Sequence, residues 1–495
     1  MSKQEDAAIT ATEDEAVLLR LGYAQELRRG MSAFSNFAVS LSIICILAGG
    51  VTSFHVGLCS VGGASIGLGW PLCCLFSLLV ALTMAQVASA FPTAGGLYHW
   101  AAILGGRGWG WATAWFNLAG LITVLAAINV GTYDFVARSL GPAVGHEAGP
   151  AGQAVFVVAV TVSQAAFNHF GIRLATRLIN FSGYWILLLA AVLTVALFAG
   201  AATFEPLRLV TFTNFSGLPP GEDEVWPATR SVAWLFLLGL LLPAYTLTGF
   251  DASAHTAEET VRAAVNAPRG IVRSVLVSGV FGWVMLCAVV LAAPDVGEAA
   301  RQGKGAFVHV VNAVFQNHPR VTVALFAGIA LAQYLCGLAT VTSASRMLYA
   351  FARDGGVPGS AVLRHVHTRW LTPVPAIWVV AGSSVLFTLS TKVYETIAST
   401  CAVLLYVSYV LPTALGLLAY GRTWTKLGPW SLGAWYRPLA ALSVLGCGVL
   451  FVIGVQPPNG VALWIVLGFV GVLLALWFAV ERRRFRGPPN LSVKE

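Results

Sequence analysis

The sequence predicts an all-α, polytopic membrane protein of about twelve transmembrane helices, arranged as an inverted five-plus-five repeat with two further C-terminal helices. Three observations carry this expectation. Of 495 residues, 57% are hydrophobic and 10% charged, whereas soluble domains carry about 25% charged residues. A water-soluble chain is thereby excluded. The hydrophobic residues gather into about twelve runs of roughly 20, the length needed to cross about 30 Å of hydrocarbon. The first and sixth runs, moreover, are interrupted in a similar way.

In order, the runs lie near residues 32–56, 65–90, 108–137, 152–171, 178–202, 231–257, 270–293, 321–351, 373–391, 393–419, 436–455 and 461–481. Residues 1–30 form a polar, mobile tail rich in Asp and Glu. It lacks the short apolar core of a cleavable signal peptide, so run 1 itself is expected to direct insertion. Runs 1 to 5 occupy 31–202, an outer loop with Glu222-Asp223-Glu224 beside Pro219 and Pro220 occupies 203–230, and runs 6 to 10 occupy 231–420. Runs 11 and 12 occupy 421–482, and 483–495 is a second polar tail.

Twelve crossings put both termini on one side. Sorted by that topology, about 22 of the 29 Lys and Arg fall on the side of the termini. They include Arg28, Arg29, Arg173, Arg177, Arg262, Arg269, Arg273 and the run Arg482, Arg483 and Arg484. The expectation is a multi-pass protein of a cell membrane, plasma or inner, with both termini cytoplasmic. The net charge of +8 follows from the same distribution, because basic residues hold inner loops against anionic headgroups. The bilayer is the partner this requires, and a nucleic acid is not needed.

The eight cysteines lie in or beside apolar runs without CxxC or Cys/His spacing, so they read as small core residues. Neither a metal site nor a cofactor is expected. The chain carries no HExxH motif, no His-rich catalytic cluster and no P-loop, which argues against a membrane enzyme and against coupling to ATP hydrolysis.

The interruptions point to function. In run 1 it is Ala48-Gly49-Gly50-Val51-Thr52, where each glycine weakens a helix by about 1 kcal/mol relative to alanine. In run 6, Pro243 removes a backbone donor, Gly249 adds freedom, and Asp251 follows within the apolar stretch. Unwound backbone survives at membrane depth only where it is buried in protein or lines a cavity. A glycine pair alone serves close packing, and a lone proline usually makes a kink. Two breaks five helices apart are what an inverted repeat with a central binding site produces.

Asp251 is the most informative polar residue. A carboxylate in an apolar helix is costly unless paired, wetted or protonated, and such residues mark pathways and proton relays or hydrogen-bond a neighbouring helix. His255 lies four residues on, on the same face, and could share a proton with it. Asn117 and Asn129 in run 3, with Ser399, Tyr406 and Tyr409 in run 10, could complete a cavity, although such groups more often bond neighbouring helices. Glu258 and Glu259 at the inner end of run 6, with Arg346 and Arg353 at the inner end of run 8, could pair to close a gate or could simply be solvated at the interface.

Several strings resemble the amino acid, polyamine and organocation transporter superfamily, in particular its branch of amino acid and choline permeases that includes 4-aminobutyrate permeases. They are FSNFAVSLSII at 34–44, FPTAGGLYHW at 91–100, GFDASAHTAEET at 249–260, APRGI at 267–271, SASRMLYAFARDGG at 343–356 and LYVSYVLP at 405–412. The resemblance runs from about residue 20 to 420, and its helix 6 and helix 8 strings are long and specific.

The resemblance implies alternating access around a site between broken helices 1 and 6, with helices 3, 8 and 10 around it. It places a substrate carboxylate on the backbone amides of Ala48, Gly49 and Gly50, which agrees with the free N–H groups and about half a positive charge of a half-helix N-terminus. It makes Tyr245 an aromatic gate, and the carbonyls from Tyr245 through Thr246 to Thr248, before Gly249, acceptors for a substrate ammonium.

The implied activity is secondary active transport of a small amino acid or related amine, 4-aminobutyrate among the candidates. Proton coupling is the family's habit. Two departures weaken the carry-over of its details: Gln86 stands where many relatives have Glu, and the fifth run contains no lysine. Sodium coupling and exchange stay open. A choline or polyamine carrier using the aromatic faces of Trp115, Trp185 and Tyr245 is the nearest alternative, and a substrate sensor that does not transport is another.

Overall fold

The computed structural model describes residues 13–145, 148–221, 224–390 and 394–489. Parts of both expected tails, together with Glu222 and Asp223 of the outer loop, lie outside the described residues. Among the described residues, ten helices are long and apolar enough to cross a membrane, and two shorter apolar helices, Val232–Thr246 and Val374–Leu389, fill the sixth and ninth places.

We number the spans α1 to α12. The first is in pieces, α1a (Ala33–Ile44) and α1b (Phe54–Val61), with a single turn Gly49–Thr52 between them. Next come α2 (Trp70–Ala90), α3 (Arg107–Ser139), α4 (Pro150–His169) and α5 (Ile172–Gly200). The sixth is also in pieces, α6a (Val232–Gly239 and Leu241–Thr246) and α6b (Ala252–His255). The rest are α7 (Ala263–Ala292), α8 (Pro319–Arg353), α9 (Val374–Ser390), α10 (Tyr394–Ala419), α11 (Tyr436–Gly454) and α12 (Gly460–Leu476).

Helix α7 starts seven residues before its expected start at 270, in spite of Pro268 in its second turn. Proline lacks the N–H that would bond the carbonyl four residues back. Ser89 Oγ of α2 donates to that Ala264 carbonyl at 2.7 Å instead, and the helix continues through the proline.

Helix α3 packs along α10 and α8, and α7 along α2 and α1a. Helices α5, α11 and α12 turn large apolar side chains such as Leu188, Val195, Leu445 and Trp464 outward, while Asn36, Gln86, Asp251 and Arg346 are fully buried. This polarity is the reverse of a soluble domain and suits a hydrocarbon solvent.

Residues 18–31 correct the expectation of a mobile solvated tail. Leu18, Tyr23, Leu27 and Met31 are buried, and the Gly30 and Met31 amides both donate to the Glu259 carbonyl, at 2.9 and 2.8 Å. At the other terminus Phe485 packs against Tyr98 and Phe351. Tyr98 and Tyr23 both donate to Asp354, so the segments around Tyr23 and Phe485 meet at one end of the bundle, called here the terminal end.

Candidate functional site

The two breaks lie against each other. A Cβ on Gly49 would come 2.9 Å from the Thr246 Cα, and one on Gly249 would come 2.3 Å from Ile43 Cγ2. Gly249 also takes φ +92°, a conformation that side chains resist. Met31 neighbours Thr260 and Gly57 neighbours Leu242, so α1 and α6 run antiparallel.

The first break falls one turn earlier than its glycines suggested. The helix stops at Cys45, and the chain turns through Ile46–Ala48 before the glycine pair opens a new turn. The Ala48 and Gly49 amides bond back to the Cys45 carbonyl at 2.8 and 3.1 Å, leaving Gly50 as the member of the expected trio without such a bond. Helix α8 reaches two of the carbonyls at this break: Gln333 Nε2 donates to Leu47 O at 3.0 Å, and Cys336 Sγ lies 3.4 Å from Ile43 O.

Hydroxyl groups do the same in α6. Leaving the helix at Leu247 frees the carbonyls of Ala244 and Tyr245, which receive Tyr406 Oη at 3.2 Å and Thr248 Oγ1 at 2.8 Å. Ser40 Oγ donates to Phe250 O at 2.9 Å, and the Gly249 amide donates to Tyr409 Oη at 3.0 Å. Two of the carbonyls near an expected ammonium are thus already bonded within the protein. None of these hydroxyls reaches those of Thr246 and Leu247.

Asp251 is fully buried among donors. Tyr409 Oη donates to Oδ1 at 2.8 Å, Asn117 Nδ2 donates to Oδ2 at 2.8 Å, and His255 Nε2 lies 3.2 Å from Oδ2. The expected proximity of Asp251 and His255 is therefore present, and Asn117 belongs to this cluster rather than to an open cavity. Asn36 and Ser40 on α1a, which sequence reasoning missed, fasten α1a to α6b. Asn36 Nδ2 donates to Ser253 O at 2.8 Å and to Thr260 Oγ1 at 3.0 Å.

The terminal end is sealed by charge. Arg353 grips Glu258 with two bonds, 2.8 and 3.0 Å, while Arg346 Nε meets Glu259 Oε1 at 3.2 Å with both side chains fully buried. Burial pushes the Glu258 carboxyl up, but the charge and bonds of Arg353 and the Ala94 amide at 3.0 Å bring it below the usual range. For Glu259, burial prevails over the single contact with Arg346 and raises it.

The N-terminal segment completes the seal. The Arg353 guanidinium sits 3.9 Å over the Tyr23 ring, Gln25 Nε2 donates to Glu258 O at 3.0 Å, and Tyr349 Oη donates to Glu26 at 2.7 Å. The turn at 92–96 ties this end to the Asp251 cluster. Its Ala94 amide bonds Glu258, and its Ala94 carbonyl lies 3.1 Å from His255 Nδ1. Gly96 takes φ +46°, which favours glycine there, and a Cβ would come 3.1 Å from the same imidazole.

Away from the terminal end, a cavity of about 260 Å³ opens beside Tyr245, between α1b, α6a, α10 and α11. Ser399 and Tyr406 line it, with Ala402 and Phe451, and its described lining holds no charged residue. Asn129 lies elsewhere: its amide bonds Thr161 and Gln164 of α4 at 2.9 and 3.0 Å. Trp115 and Trp185 do not line it either; Trp185 Nε1 donates to Gly328 O and Trp115 packs edge-on against Phe351. Gln86 Oε1 accepts the Leu432 amide at 2.7 Å, fixing the loop before α11.

The amino acid permease family model matches residues 31–478. An amino-acid permease, BAT1, of Arabidopsis thaliana is 34% identical over 95% of this chain and 95% of its own length. A putative polyamine transporter of Candida albicans is 26% identical over 97% of this chain and 90% of its own length. The GABA-specific permease of Saccharomyces cerevisiae is 25% identical over 98% of this chain and 87% of its own length.

Proposed function

The chain belongs to the amino acid permease family, and from that premise we propose that it is a secondary active permease for a small amino acid or related amine. The substrate sits where the breaks of α1 and α6 face each other, and the protein opens this site to either side in turn. The apposed breaks, Gly49 against Thr246 and Gly249 against Ile43, carry this reading. Its setting supports it, since the terminal end is closed by buried ion pairs that opening would break. The terminal end faces the cytoplasm in this reading, and the two five-helix halves are inverted copies.

A substrate carboxylate meets the Gly50 amide in the single turn Gly49–Thr52 that leads into α1b. Its ammonium meets the Thr246 and Leu247 carbonyls, and the apolar cavity beside Tyr245 takes an uncharged remainder. That uncharged lining favours an amino acid over a polyamine, whose second ammonium would need an acidic partner. A proton is the coupling ion, held at Asp251 and His255. The string Gly63-Ala64-Ser65-Ile66-Gly67 matches a serine-hydrolase pattern by letters alone. Its Ser65 opens a helical turn, with the hydroxyl on Ser60, and not the strand-to-helix elbow that chemistry needs.

Uptake by proteoliposomes carrying the purified protein tests the reading. Neutral amino acids, 4-aminobutyrate, choline and putrescine compete against labelled substrate, with and without an imposed proton gradient. Saturable uptake of an amino acid, stimulated by the gradient, is the expected result. Competition by choline or putrescine with every amino acid inert would overturn the substrate class, and saturable binding without counterflow would make the protein a sensor.

A further inference from the structure

The geometry of Asp251 and His255 fixes how many protons they hold together. His255 Nδ1 lies 3.1 Å from the Ala94 carbonyl. A carbonyl only accepts, so Nδ1 bears hydrogen. A neutral imidazole in that tautomer presents a bare lone pair at Nε2, which lies 3.2 Å from Asp251 Oδ2. An ionised carboxylate there would set acceptor against acceptor between two fully buried side chains. One further proton must therefore lie between them, on Nε2 or on Oδ2. In either placement the pair is neutral as a unit.

Both sides of the pair are wired to backbone. Asp251 connects through Tyr409 Oη to the Gly249 amide in the α6 break. His255 connects through the Ala94 peptide to Glu258, and so to Arg353. Loss of the proton turns the Nε2 contact repulsive and pulls on each chain.

We propose that Asp251 and His255 form a one-proton site, loaded while the terminal end is closed and emptied as it opens, with Tyr409 and Ala94 as the positioning groups that transmit its charge. This rests on the permease reading and adds the stoichiometry, the residues and the state in which the proton is carried.

Facing the pair are Tyr409 and Ser408 from α10, Asn117 from α3 and the Ala94 peptide. Beyond that peptide, Glu258 and Arg353 neutralise each other. His99, bonded to Thr93, is lowered to about 3 by burial and then by Arg353, and stays neutral. Asp354 and Glu259, both raised by burial, titrate at the same end, so the measurement is repeated in Asp354→Asn and Glu259→Gln backgrounds.

Hydrogen-exchange protection of the segments 92–96 and 249–256, corrected for the intrinsic pH dependence of exchange, is measured on the full chain in nanodiscs between about pH 5 and pH 9. The opening equilibrium of wild type should rise about tenfold per pH unit across the transition, the slope of one proton. Asp251→Asn presents an N–H to Nε2 and mimics the loaded pair. Asn117 Oδ1, unpartnered among the described residues, can turn to accept the new amide. This variant should stay protected with no slope. Tyr409→Phe should keep the slope at 92–96 and lose it at 249–256.

A flat wild-type profile, a slope of two protons, or an Asp251→Asn variant that keeps the wild-type slope overturns the proposal. Thermal shift with the uptake panel is run in parallel. Ligands that stabilise the protein while the pH profile is flat sink the proton site alone. A one-proton slope with no stabilising amino acid or amine sinks the substrate reading alone.

Discussion

Removing the Glu258 carboxylate should unlatch the terminal end, and the size of the effect follows from what it leaves behind. Arg353 holds Glu258 by two bonds of 2.8 and 3.0 Å, with the carboxylate fully buried. Breaking a buried pair by deleting one partner costs about 3–5 kcal/mol, chiefly because the other charge is stranded. The penalty on the closed state is then roughly 3–5 kcal/mol, a shift of about 150-fold to 5,000-fold toward the open form.

The assay is hydrogen exchange over residues 18–31 and 92–99, with uptake measured beside it. Both segments should lose protection together in Glu258→Leu and in Arg353→Leu. The double replacement should recover most of the loss, because two apolar side chains of similar volume strand no charge. Strict additivity of the two single changes, with coupling under about 0.5 kcal/mol, would show that the pair does not hold the gate.

Gly249→Ala should lower stability by about 2–5 kcal/mol, combining a positive φ with a Cβ 2.3 Å from Ile43 Cγ2. Thermal unfolding measures this, and Ile43→Ala should recover only the steric part. Asn36→Ala removes bonds from α1a to the Ser253 carbonyl of α6b and to Thr260 beyond it, for a loss of about 1–3 kcal/mol; it should impair transport as well as stability. Asn129→Ala breaks an α3–α4 bridge, and should lower the melting temperature while leaving substrate Kd unchanged. Ala402→Phe fills the cavity beside Tyr245, and should weaken bulky apolar substrates about tenfold or more relative to small ones. Equal losses for both would remove that cavity from the substrate site.

The existence of both breaks was legible because the cues were backbone cues, Gly49-Gly50, Pro243 and Gly249, and because they recurred five helices apart. The place of the first break was not. A glycine costs a helix only about 1 kcal/mol, less than the bonds that Gln333 and Cys336 of α8 lend to the Leu47 and Ile43 carbonyls. Partners nearly 300 residues away in sequence moved the unwinding back to Cys45. Helix α7 shows the same limit in the other direction, since Ser89 supplies the donor that Pro268 lacks.

Polar residues in the apolar runs were legible as a type and not as a destination. Asp251 and His255 could be paired in advance because four residues put them on one helical face. Asn117 and Asn129 share a helix and a chemistry, and nothing local separates the one that bonds Asp251 from the one that bonds α4. The N-terminal segment misled for a related reason. Its charge and polarity are those of a solvated tail, yet Tyr23, Gln25 and Glu26 meet Arg353, the Glu258 carbonyl and Tyr349 at the terminal end. Composition reports the cost of burying such groups, and only the fold supplies the partners that offset it. The turn at 92–96 is where this matters most, because one alanine peptide with no side-chain chemistry of its own joins the Asp251 pair to the charged seal.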